Sequence, residues 1–278
     1  MGLVLIDERI SIRKANPMNT ARIPLDLTKL SCGGEFLSNF IESYFEPAHL
    51  RDACTRKHLI ANFLSAKRGG FESMHDLIGM TPKELWGPDA FQRRDQLNMD
   101  PIVASDEIKN VNRMANFEAQ ALFCRRPVSI HRSILDFNGI AHFQRVLKIP
   151  ILSSYSNKVV ALLTVLQDLT HHLHCSKIFH LYQKFYPIKK AIQKTLEHFK
   201  LEKYFCGQPT YHEMRVLLSM REDSRHKVVA KKLECADATV SSHIANLQSK
   251  LKSGAVHDVL SQLPSIPENE QDAYIWID

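Results

Sequence analysis

The sequence predicts an α+β chain, an antiparallel sheet with helices followed by an all-helical region. Three observations carry this. Val128–Phe137, Phe143–Leu152 and Lys158–Leu169 are strand-like runs separated by Asn138-Gly139 and by the polar stretch Ser153–Asn157. Asn-Gly between two such runs is a hairpin signal, because both residues tolerate the positive φ of a tight turn. From residue 171 onward the apolar residues recur every three or four positions instead.

The elements follow in chain order. Residues 1–44 carry Pro17, Pro24 and Gly33-Gly34, then Phe36, Leu37, Phe40, Ile41 and Tyr44 at helical spacing, which predicts one helix ended near Pro47. Residues 45–170 form the mixed domain. Leu59–Leu64 is a short apolar run with strand character, broken by Gly69-Gly70. Thr81-Pro82-Lys83-Glu84 opens a helix, with Thr81 as N-cap, Pro82 at the first position and Glu84 at the third. Ser105–Cys124 is a longer helix, stopped before Pro127, and the three strand-like runs come next. Residues 171–207 form a helical linker, in two helices or one kinked at Pro187. Its apolar seam runs through Ile178, Leu181, Phe185, Ile188, Ile192, Leu196 and Phe199. Residues 208–263 are helical in pattern, and 264–278 are an acidic tail in which Tyr274–Ile277 are apolar enough to dock.

The chain has 278 residues, enough for about two domains. Its hydrophobic fraction of 44% and charged fraction of 24% exclude a disordered or collagen-like chain. No window approaches the roughly 20 apolar residues of a membrane helix. Met1–Lys14 mixes acids and bases with apolar residues and does not read as a secretory signal. Six scattered cysteines without a Cys-x-x-Cys pair point to reduced thiols and a cytosolic protein. The net charge of +6 permits a polyanionic partner without demanding one. Residues 171–263 hold 15 bases and 8 acids, while the tail holds four acids and no base, so the surplus precedes the tail. Most of it lies in 171–207, with seven bases and two acids.

Thr210-Tyr-His-Glu213 is a capping box, and the helix it opens gives way to a polar break at Arg221–Ser224. A second helix, Arg225–Leu233, buries Val229, Ala230 and Leu233, and a third spans Ala238–Ser253. At about 100° per residue, Val240, Ile244, Leu247 and Leu251 of the third helix fall in one apolar stripe. Ser242, Ala245, Asn246 and Ser249 fall opposite, with Ser241 at the edge, and no acid interrupts that outer face. A helix that enters a DNA major groove needs such small or polar side chains.

Thr210-x-x-Glu213, Lys227-x-Val229-Ala230-x-x-Leu233 and Thr239-Val240-x-x-His243-x-x-Asn246-Leu247-x-x-Lys250-Leu251 together resemble the LuxR-type helix-turn-helix over about 55 residues. The resemblance implies that Thr239 and His243 position the helix on the DNA backbone. It implies that Ser241, Ser242 and Ala245 face base edges, and that Lys227 and Lys250 contact or flank phosphates. Two positions depart from the family: Ala236 stands where the N-cap is usually Ser or Thr, and Ser241 where Lys or Arg is frequent.

Upstream, Ile78-Gly79-Met80-Thr81-Pro82-x-Glu84-Leu85-Trp86-Gly87, then Asn116-x-Glu118, and the closing Val165-Leu166-Gln167-Asp168-Leu169-Thr170 resemble a PAS domain over Phe45–Thr170. The resemblance implies a ligand pocket between the sheet and the long helix. Ser105–Cys124 has no histidine to ligate haem, and the Asn-Cys-Arg motif of flavin-photoadduct members is absent, so neither haem nor flavin is expected and the ligand stays unknown. Cys54 and Cys124 are candidate sensor thiols within that cavity or, alternatively, inert buried cysteines. His171, His172, His174, Cys175 and His180 crowd together at spacings that can ligate zinc, against which stands a reading as solvated or interface histidines, and no metal site is assigned.

The expected function is a transcriptional regulator, not an enzyme: a PAS-like sensory domain joined to a unit that binds double-stranded DNA. No phosphate-binding glycine loop or spaced nucleophile–base set stands out. The apolar seam would pair with a second copy, making a homodimer, or pack on its own sensory domain. The alternative function is a protein-interaction module that sequesters or scaffolds a regulator. It draws support from the surplus of only two charges over 208–263.

Overall fold

A computed structural model describes residues 5–6 and 33–264, except 89, 91, 93, 94, 96, 98, 154 and 155. These residues divide into two compact units. One holds the chain up to 139 and 143–168, the other 140–142 and the chain from 169 on. The expected docking of Tyr274–Ile277 lies outside the described residues. Among the described residues no helix is long and apolar enough to cross a membrane.

The first unit is built on one sheet. Its strands are β1 (Leu5–Ile6), β2 (Ala48–Asp52), β3 (His58–Ala61), β4 (Val128–Leu135), β5 (Ala141–Ser153) and β6 (Val159–Asp168). The order is β4-β5-β6-β2-β3, with β1 added parallel to the end of β5. The β2–β3, β2–β6 and β5–β6 pairs are antiparallel. This is the PAS-like antiparallel sheet the sequence predicts. At the Asn138-Gly139 turn Gly139 takes φ 75°, and its N–H donates to the Asp136 carbonyl.

Strand β2 has no counterpart among the sequence-predicted runs. It is shaped by its ends. The Asp52 carboxylate accepts from the Cys54 and Thr55 N–H groups, closing the turn to β3. Asn62, fully enclosed, ends β3 earlier than the apolar run Leu59–Leu64 suggests. Its side-chain oxygen caps helix α2 (Phe63–Arg68) by accepting from Ser65 N–H and also accepts from Ala48 N–H. Its amide donates to the Tyr44 and Glu46 carbonyls.

Helix α1 (Gly33–Ser43) lays Leu37 and Ile41 against Ala48, Leu50, Ile151, Leu163 and Val165 on one face of the sheet. Helix α3 (Pro82–Trp86) starts at Thr81 with the expected capping box. The long helix α4 (Pro101–Cys124) starts a turn before the expected Ser105, because Asp100 caps it and Pro101 fits the first position. It packs Phe117 and Met114 on Val146, Leu166, Val128 and Ile130. Side chains of a strand alternate between faces. Leu163 and Val165 therefore meet α1, while Thr164 and Leu166 turn toward α4.

The second unit contains α5 (Cys175–Gln183), α6 (Ile188–His198), α7 (Tyr211–Glu222), α8 (His226–Leu233), α9 (Asp237–Ser249) and α10 (Val256–Gln262). Pro187 separates α5 from α6, so the basic segment is two helices. The seam expected to need a partner is mostly satisfied locally. Ile178, Leu181, Ile192 and Leu196 are buried, and α5 and α6 pack on each other and on α7. Ile188, on the contrary, is exposed. Helix α9 is shorter than the expected Ala238–Ser253. Beyond it Cys206 N–H donates to Lys250 C=O and Lys252 N–H to Tyr204 C=O, pulling the chain into a bridge with the segment before α7. Gly254, at φ 70°, then turns it into α10.

Candidate nucleic-acid interface and candidate ligand cavity

The helix-turn-helix is built around Val216, Val229, Ala230 and Val240, with Met220, Leu233, Cys235 and Ile244 packed against them. Three apolar stripes meet there, which leaves the opposite face of α9 in solvent. Thr239, Ser241, Ser242, Ala245, Asn246 and Ser249 are all exposed, and His243 is half-buried. The expected outer face is thus one continuous surface. The Ser241 hydroxyl donates to Asp237 C=O and Ser242 to Ala238 C=O, at 3.1 and 2.9 Å. Each hydroxyl oxygen keeps lone pairs that can accept from a base amino group. The His243 ring stacks on His212 of α7, with centroids 5.7 Å apart. No side chain caps α9 at Ala236, which leaves its first N–H groups open to water or an anion.

The two lysines of the sequence reading differ. Lys227 is exposed on α8. Lys250 reaches the Glu213 carboxylate at 2.6 Å, and the same oxygen accepts from Thr210 N–H at 2.7 Å. Burial alone would push the Glu213 carboxyl up, but the bonds from Lys250 and Thr210 hold it below its ordinary value. Lys250 therefore completes the capping box of α7. Lys231, which the motif reading passed over, is exposed near Lys227 on α8.

The first unit holds a partly open cavity of about 140 Å³ between α4 and the sheet. Its lining is unusually charged for an interior. Arg51, Arg68, Arg132 and Lys148 contribute four bases, Glu107 and Glu118 two acids. Glu118 of α4 lies at the centre. One oxygen accepts from Arg51 and, at 2.7 Å, from Lys148, while the other meets Arg56 at 3.4 Å. Lys148 also donates to Thr164 Oγ1 at 3.2 Å. Arg132 of β4 donates to Asn110 at 2.7 Å and Gln144 at 3.3 Å. His58 contacts Met80 C=O at 2.7 Å and lies edge-on to His49.

Burial and the neighbouring arginine Arg51 push Lys148 down to about 7. Burial also takes His58 down to about 4 and His49 well below its ordinary value, so both rings are neutral. Glu107 is pushed by burial up to about 7. For Glu118, burial pushes upward, yet Lys148 and Arg51 together hold its carboxyl below the usual range.

Sequence reading missed most of this site. Asn116-x-Glu118 marked the helix, and Glu118 is the central acid, but no motif announced Arg51, Arg132 or Lys148. Cys54 and Cys124 correct an expectation: both are exposed and neither lines the cavity, because Cys54 sits in the β2–β3 turn and Cys124 on the last turn of α4. In the histidine cluster, His174 accepts from Ser176 N–H to cap α5 and pairs with Glu222 at 3.0 Å. Among the described residues no group of three or more His, Cys, Asp or Glu could hold a metal.

Residues 210–259 match the family model described as bacterial regulatory proteins, luxR family. No curated protein matches the chain. Among solved structures, a VqmA–ligand–DNA complex of Vibrio cholera is 15% identical, covers 82% of this chain and 84% of its own, and has a TM-score of 0.42. A phage VqmA–DPO complex is 15% identical over 87% and 89%, with a TM-score of 0.38. The PAS domain of BvgS from Bordetella pertussis is 18% identical over 49% of this chain and 85% of its own, with a TM-score of 0.36. The chain carries a LuxR-type helix-turn-helix domain at residues 210–259.

Proposed function

We propose that this protein is a cytoplasmic transcriptional regulator in which α9 enters the major groove of operator DNA and the PAS-like cavity takes a small ligand that sets DNA affinity. The observation that carries the DNA half is the outer face of α9: exposed, small or polar, and free of acids from Ala238 to Lys250. Ser241, Ser242, Ala245, Asn246 and Ser249 are the residues proposed to face bases, with Thr239 and His243 on the DNA backbone. Lys227 supplies phosphate contact, and Lys250 flanks it while it holds Glu213. The modest local charge makes two copies on two half-sites one turn apart the arrangement that gives useful affinity, so the acting species is a homodimer.

The test is selection of the full chain on randomised duplexes of about 30 base pairs, long enough for two half-sites. The expected outcome is an enriched site with two-fold symmetry, bound with a steep salt dependence. Ser242→Glu should weaken binding to that site by about 100-fold or more while changing folding stability by less than about 0.5 kcal/mol. Unchanged binding in the variant would reject this placement of α9. Failure to enrich any site would favour the protein-interaction reading, and a monomer on the selected duplex by light scattering would remove the homodimer.

A further inference from the structure

We propose that the ligand of the cavity is a small organic carboxylate, its anionic end held by the guanidinium groups of Arg51, Arg68 and Arg132. The inference rests on the sensory reading above and names its ligand class.

Donor bookkeeping inside the cavity points to an anion. Buried polar atoms are nearly always hydrogen-bonded, and each exception needs an explanation. Arg51 Nε and Nη1, Arg68 Nη2 and Arg132 Nε are buried without a partner, as is His49 Nε2. Arg51 and Arg132 are 4% and 8% exposed, so bulk water does not serve them. Most acceptors of the lining have partners, and Glu107 bonds with Asn110 and faces Arg132 and Arg68. Glu118 serves Arg51, Lys148 and Arg56, Thr164 accepts from Lys148, and Asn110 accepts from Arg132. The lining thus holds spare donors on positive groups, four bases against two acids, and an occupant that brings acceptors and negative charge completes it.

The shape of those donors selects among anions. Guanidinium presents a planar fork that matches a carboxylate with two parallel hydrogen bonds. The rest of the wall is apolar, with Leu77, Trp86, Val111, Met114 and Ile134, which suits an organic body better than inorganic phosphate. The volume of about 140 Å³ is close to the roughly 150 Å³ of a cavity that accepts benzene, so an organic body of about that size fits within it.

The experiment titrates the full chain, without DNA, by calorimetry and thermal unfolding. The probes are benzoate, hexanoate, succinate and glutarate, each beside its neutral amide, with inorganic phosphate as a further arm. At least one carboxylate should bind saturably and raise the unfolding temperature. Its amide should bind at least about 10-fold more weakly, because charge-assisted bonds are lost. Arg132→Gln should weaken that carboxylate by a similar factor, and Arg68→Gln provides a second variant at a less buried position if the first fails to fold. The proposal is overturned if none of the four carboxylates binds below about 10 mM, a threshold near 3 kcal/mol of binding energy. Amides or phosphate binding as tightly, or both variants binding unchanged, would overturn it too. Because no DNA is present, such a failure leaves the DNA-binding reading standing, and a failed DNA selection leaves the carboxylate result standing.

Discussion

The two units place their positive charge in opposite ways. The PAS-like unit carries Arg51, Arg132 and Lys148 inside, against Glu118 and Gln144. The helix-turn-helix unit keeps Lys227 and Lys231 in solvent and fills its interior with Val216, Val229, Ala230 and Val240. Interior charge is costly and tolerates little misplacement, so it suits a small occupant of fixed geometry. Exterior lysines are cheap and mobile, which suits a polyanion met along its length. On the proposed reading, the difference separates a cavity that would recognise by built geometry from a face that would recognise by access.

The largest effect should come from breaking the interior charge. Glu118→Ala leaves Arg51 and Lys148 buried with no counter-charge. Removing one partner of a buried pair costs about 3–5 kcal/mol. Urea unfolding followed by circular dichroism should register a loss of that size, with Glu118→Gln in between because it keeps volume and an acceptor. A loss below about 1 kcal/mol would mean that water already neutralises this cluster, and the contrast between the two units would weaken.

A smaller effect sharpens the other side. Lys227 and Lys250 enter the sequence motif as equals, yet only Lys250 holds a nearly buried carboxylate. Lys250→Met should destabilise the helix-turn-helix by about 1–3 kcal/mol, the usual cost of stranding a buried acceptor. Lys227→Gln should change stability by less than about 0.5 kcal/mol and flatten the salt dependence of DNA binding by about one phosphate contact. If Lys250→Met is stable and flattens the salt slope equally, Lys250 acts on DNA and not on the cap.

The same contrast explains what could be read from the chain. The helix-turn-helix was legible in its apolar stripes and capping box, because its polar residues face solvent and its apolar ones the core. The strands β5 and β6 were legible as well, being covered on both faces. Strand β2 was not. Ala48-His49-Leu50-Arg51-Asp52 alternates as a half-exposed strand would, but its polar members His49 and Arg51 point into the cavity. Lys148 hides in the same way, as a lone base within the apolar run of β5. A pattern rule that sends charge to the surface misses a site made of inward charge, and only the fold brings Glu118 to within reach of residues 67 and 30 positions away. The seam in 171–207 buries part of its surface against α7, and such contacts distant in sequence leave no trace in a local period, while its pairing with a second copy belongs to the proposed homodimer.

A pH-dependent effect of modest size tests how finely the cavity is balanced. Glu107 faces Arg132, Asp106, Arg68 and Asn110, and burial places its carboxyl near 7 in the folded chain against 4.5 when unfolded. Between those values the folded form holds a proton that the unfolded form has released. Glu107 therefore favours folding fully below pH 4.5, and its contribution is lost as pH rises through about 7. Lys148 works in the opposite sense, its penalty present below about 7 and relieved as pH climbs toward 10.5. Stability should then fall from pH 4.5 to 7 and recover above it. Glu107→Gln keeps the hydrogen-bonding shape and cannot titrate, so the falling limb should vanish and the variant should exceed the parent at pH 8 by about 1 kcal/mol. Urea midpoints across pH 4 to 9 decide the matter. A parent and variant with parallel profiles would show that Glu107 is already ionised in the folded chain and that the cavity holds one more negative charge than its geometry indicates.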